Sequence, residues 1–217
     1  MKKFILLTAA AAITLTSAKA QDFKATLQKT FMAFDTTKDQ QQKVDLSNRL
    51  SLIAKKWDNE WLAHYYASVS KAIISYGEQD EAKRDAYLDE ADKEHDDAVS
   101  ILKKENDETY VLAAMIANAR LAVKPQSRWM KYGKVFSDDL KAAQEINANN
   151  PRIYYLDGQS KFHTPKAFGG GKKAALPYFE KAEPLFATES EDDITKPYWG
   201  KRINTYMLAQ CKTDDKD

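Results

Sequence analysis

A single cysteine, Cys211, stands in the 217 residues, so no disulfide can form within the chain. On its own this side chain reads as a small apolar residue of a terminal helix. Glycine is scarce, seven in all, and three of the seven are consecutive at 169–171. Runs of alternating β-branched residues are absent, which removes the period that strands require. Only three histidines occur. No two of them have ligand spacing, and neither an HExxH motif nor a cysteine pair is present, so no metal site is expected. G-x-S-x-G is missing as well. The glycine triplet is followed by Lys172, Lys173 and Ala174, not by the lysine and hydroxyl residue of a phosphate loop, and no strand precedes it. The many carboxylates lack an apolar setting that would tune them for acid–base work. No catalytic residue, no cofactor and no enzymatic activity are expected.

The N-terminus has an address. Lys2 and Lys3 precede the apolar run Phe4–Leu15, and Ala18-Lys19-Ala20 offers small residues at a cleavage site. This is the order of a secretory signal over 1–20, cut between Ala20 and Gln21. No cysteine follows the run, which closes the lipoprotein route. The cut leaves 30 basic against 32 acidic residues, a charge of −2. That balance gives no reason to expect nucleic acid or membrane surface as a partner. No later stretch is apolar for 18 residues, so no membrane insertion is expected after cleavage. The protein is expected in the periplasm or secreted, as one domain over 21–212 with a disordered tail at 213–217.

Alanine, leucine, lysine, glutamate and glutamine dominate what remains, and the apolar residues recur at helical spacing. Phe23, Leu27, Phe31 and Phe34 stripe a first helix. A second runs over 38–57. A third follows a cap at Asp58 or Asn59 and ends at Gly77, with Tyr65 inward and Tyr66 facing solvent. A fourth spans 79–104. A fifth opens at Asp107 and is closed by Pro125. The sixth spans 127–148, with a break near Gly133, and the seventh 151–162. An eighth is kinked or shortened near Ala182 by Pro184, and a ninth opens at Pro197.

Ala175, Phe179 and Ala182 place small, bulky and small residues at 0, +4 and +7, and Gly158 lies where small size admits a partner helix. Ala91, His95 and Ala98 repeat the spacing. These patterns resemble tetratricopeptide (TPR) repeats. They predict an all-α fold: a TPR-like right-handed superhelix of antiparallel helix pairs, about nine helices, the last acting as a cap.

The stretches "EWLAHYYASVS", "YLDEAD", "NPRIYYLDGQ", "TPKAFGGGKKAALPYFEKA" and "PYWG…LAQC" are similar to a group of exported TPR-like proteins of Bacteroidota. The resemblance implies a helical repeat protein outside the cytoplasm and no particular chemistry.

Function is then expected in recognition. The first helices of each pair line a concave face, where a protein or peptide would bind. Tyr66, Arg120, Arg152 and Gln159 are the candidates there, bordered by Phe168, Gly169, Gly170 and Gly171. The alternative is a small solute, held in a pocket between Phe168, Trp199 and the concave wall and passed to an envelope transporter.

Overall fold

The computed structural model describes residues 22–213. The signal expected over 1–20 and residues 214–217 of the expected tail lie outside that range. Among the described residues there are nine α-helices and no strand. They are α1 (22–36), α2 (Gln40–Lys56), α3 (Trp61–Gly77), α4 (Glu81–Leu102), α5 (Asp107–Val123), α6 (Pro125–Ile146), α7 (Pro151–His163), α8 (Lys172–Phe186) and α9 (Lys201–Lys212). The fold is all-α and built of antiparallel pairs: α3 with α4, α5 with α6, and α7 with α8. The C-terminal ends of α3, α5 and α7 therefore lie together with the N-terminal ends of α4, α6 and α8.

Local chemistry sets most boundaries. The side chains of Asp39, Asp80, Asn106 and Asn150 each accept from a first-turn backbone N–H, capping α2, α4, α5 and α7. Such a cap contributes about 1 kcal/mol. Asn106 and Thr109 complete a reciprocal capping box. Helix α3 has no side-chain cap; its N-cap is Glu60, not Asp58 or Asn59. Pro125 opens α6 instead of standing in the gap before it, because a proline at the first helical position removes only an N–H that has no partner anyway. Gly133 does not break that helix.

Two expectations about the C-terminal third need correction. Helix α8 runs unbroken through Pro177 and Pro184 to Phe186. The prolines are seven residues apart on one exposed face, so the carbonyls they leave without a helical donor face water. Pro197 does not open α9. Residues 187–200 form an irregular strap instead, and α9 begins after Gly200. The strap crosses α1, α3 and α7, burying Ile194, Tyr198 and Trp199. Gln28 of α1 donates to the Glu191 carbonyl at 2.9 Å, and the Phe31 ring meets Tyr198 at 5.5 Å.

The small-for-large expectation is met inside the α7–α8 pair. A Cβ on Gly158 would come within 2.6 Å of the Phe179 ring, so only glycine lets the helices approach this closely.

Candidate ligand-binding groove

Helix α6 packs along α5 but touches α7 at few positions. The divergence opens a groove of about 310 Å³ between α6 and α7. Its floor is apolar: Phe136 and Leu140 from α6 and Ile153 from α7 are all buried. Its rim is polar, with Lys141 from α6 and Asp157, Ser160 and Lys161 from α7. Trp129 lies seven residues before Phe136, on the same face of α6. It extends the apolar stripe past the end of the groove and is 60% exposed, while the adjacent Met130 is 70% exposed. Between Trp129 and Phe136 comes Gly133, where a Cβ would meet only Leu121 at 3.7 Å, an ordinary contact. Packing does not demand glycine there.

Burial pushes the Asp157 carboxyl up to about 6, with Lys161 pulling the other way. The groove rim thus gains positive character as the pH falls.

A second, larger cleft of about 420 Å³ lies between α4, α5 and α6. Its wall holds Asp89, Asp92 and Asp139 against Arg120 and Lys131. Arg120 is already committed, at 2.7 Å to Asp89 and 2.5 Å to Asp92. Burial raises Asp139 to about 6.

The residues chosen from sequence are scattered by the fold. Tyr66 is buried, not solvent-facing, because α3 has no solvent face: α1, the strap and neighbouring helices surround it. Arg152 and Trp199 are interior too, at 1% and 2% exposure. Trp199 packs directly on α3 where a pocket was expected: its Nε1 donates to the Tyr65 hydroxyl at 2.6 Å. Tyr65 in turn donates to Glu108 at 2.5 Å. Arg152 donates to Glu108 at 3.0 Å, to Glu189 at 2.8 and 2.9 Å, and to the Pro197 carbonyl. Burial alone would lower the Arg152 pKa, but the two carboxylates hold it above the ordinary value. This network fastens the strap, and the strap covers the face where a peptide was expected.

Gln159 is half-buried, one helical turn after the buried Tyr155. Phe168 is 80% exposed. The glycine loop is a packed turn: the N–H groups of Gly169, Gly170 and Gly171 donate to the carbonyls of Lys166, Pro165 and Lys161. A Cβ on Gly170 would collide with the Thr164 carbonyl. The loop's N–H groups are spent internally, but it does end on Lys161, at the rim of the α6–α7 groove. Trp129, Phe136, Leu140, Lys141 and Ile153 were not singled out from sequence. The available signal was an exposed-type Trp-Met pair opening a helix whose stripe continues to Phe136 and Leu140.

No protein-family model matches the chain, and no curated protein matches it by sequence. Among solved structures, the HusA haemophore from Porphyromonas gingivalis superposes with a TM-score of 0.73. It is 32% identical in sequence, and the match covers 88% of this chain and 93% of that one. The chain belongs to the HusA family. The helical, Bacteroidota-linked character expected from sequence agrees with this membership, while the tetratricopeptide designation has no support beyond the helix pairing. A haemophore is a binding protein, in keeping with the expectation that the HusA-family chain is not an enzyme.

Proposed function

We propose that this protein binds haem or a related tetrapyrrole as cargo outside the cytoplasm, and holds it in the α6–α7 groove without making or breaking bonds. The observation that carries this reading is near full-length similarity to a haemophore. It favours the small-solute alternative over peptide docking, and the strap across α1, α3 and α7 argues the same way. Export is inferred from the basic start, apolar run and Ala18-Lys19-Ala20 site.

A tetrapyrrole is a flat apolar disc with carboxylates on one edge. The groove offers an apolar floor, with the exposed Trp129 indole two turns further along α6, and Lys141 and Lys161 lie at the rim to meet the carboxylates. The larger α4–α5–α6 cleft fits less well, because three aspartates would face those carboxylates while Arg120 is already paired. The groove lining contains no histidine, cysteine, methionine or tyrosine. Binding therefore rests on the ring face and edge, not on the iron.

Titration of the purified protein with haemin, followed by Soret absorbance and tryptophan quenching, tests this. Saturable binding is expected, with metal-free protoporphyrin binding within a few-fold of haemin. Lys161→Glu should weaken it about five-fold, the worth of one partly exposed ion pair near 1 kcal/mol. Trp129→Ala should weaken it by a similar factor through lost ring contact. Absence of saturable binding removes the reading. Binding insensitive to both changes removes the groove as its location.

A further inference from the structure

The three histidines are not equivalent. His64, in the first turn of α3, is 7% exposed and points at α4. Its Nε2 lies 3.3 Å from the Asp58 carbonyl, which can only accept, so this nitrogen carries a hydrogen. Its Nδ1 lies 2.7 Å from Glu94 Oε2 and 3.9 Å from Asp97 Oδ2. Both carboxylates also can only accept. A neutral imidazole with its lone pair facing two anions is not a stable arrangement, so a cation must occupy the space between them. A proton on Nδ1 is one occupant, but it serves Glu94 alone and leaves Asp97 to the exposed Lys93 at 2.9 Å.

We propose that His64, Glu94 and Asp97 form a binding site for a divalent transition-metal ion of the Zn²⁺ class. The three ligand atoms lie within 4.8 Å of one another. Bonds of 2.0–2.2 Å in a tetrahedral site separate ligand atoms by roughly 3.4 Å. The 2.7 and 3.9 Å separations bracket that value, so small rotations of Glu94 and Asp97 suffice. The charges balance: one neutral imidazole and two carboxylates neutralise a dication. The ligand set selects the class, since an imidazole nitrogen suits zinc, copper, nickel or iron, whereas magnesium and calcium take oxygen alone. The bond from Nε2–H to a backbone carbonyl is the outer-shell contact that fixes a metal-binding imidazole in orientation and tautomer. The Asp97 side chain is 43% exposed, which leaves the fourth position to water. The ion would clamp α3 to α4.

The other histidines lack this convergence. His95 Nε2 bonds the Thr109 carbonyl at 3.1 Å, and its nearest carboxylates are at 3.5 Å from Nδ1 and 4.0 Å from Nε2, on opposite sides of the ring. His163 is exposed beside Phe162. The site is remote in sequence from the α6–α7 groove and does not depend on cargo binding there.

The test uses the secreted chain after chelator treatment. Co²⁺ is titrated by its visible absorption and Zn²⁺ by calorimetry, without haemin. One equivalent is expected to bind. His64→Gln and Asp97→Asn should each weaken binding at least about ten-fold, while His95→Gln and His163→Gln leave it unchanged. Asp97→Asn alters a side chain at the surface and keeps the assay valid should His64→Gln fold poorly, as checked by circular dichroism. No binding up to millimolar ion, or binding unaffected by Asp97→Asn, overturns the proposal.

Discussion

Arg152 is among the largest side chains wholly inside the protein, and it meets two carboxylates there. Burial raises the pKa of both Glu108 and Glu189, and the arginine opposes that rise. Removing the guanidinium leaves two acids together without their partner. Arg152→Met should therefore cost about 3–5 kcal/mol in urea unfolding at neutral pH; an unchanged midpoint would mean the network contributes only specificity. Asp157 is a milder case. Its carboxyl holds a proton to about 6 in the fold and to about 3.8 when the chain is unfolded. The folded state thus binds the extra proton between those values, and stability from this group falls as pH rises from about 4 to about 6. Asp157→Asn should raise the melting temperature at pH 7 and leave it unchanged near pH 3.5, which thermal melts across the pH range can check.

Element by element, sequence and fold agree where one periodic face meets one neighbour. The stripe Phe23, Leu27, Phe31 and Phe34 is buried throughout, and so are Ala175, Phe179 and Ala182. Agreement fails for α3, where an amphipathic reading assigned Tyr66 to water. The stretch "WLAHYYASVSKAIISYG" has one lysine and no acid, the composition of a helix buried all round. Even its Lys71 is 2% exposed, reaching Glu90 at 2.6 Å. The groove was harder to see, since it exists because α6 leans away from α7, and helix divergence has no local sequence signal. His64 was passed over for a similar reason: its partners come from another helix, thirty and thirty-three positions on, beyond any motif spacing. Helix α6 itself carries a prediction. Gly133→Ala meets only an ordinary contact at 3.7 Å, so it should stabilise by about 0.5–1 kcal/mol through helix propensity. Chemical unfolding would register this gain.

For the molecule as a whole, the α-helical class and pairing were legible because they depend on short-range period, whereas the strap was not. Residues 187–200 have neither helical nor strand patterning, yet they supply Ile194, Tyr198 and Trp199 to the interior. Their partners are 128 and 134 positions away, in Tyr66 and Tyr65. The aromatic wall of α1 and α3 is completed by chain that is synthesised well over a hundred residues later. A chain that emerges from its N-terminus would present the first hairpins with that wall bare and adhesive. Maturation is then gated by the arrival of residues 187–200, and a ribosome that stops short of Trp199 delivers a sticky intermediate, prey for chaperones and proteases.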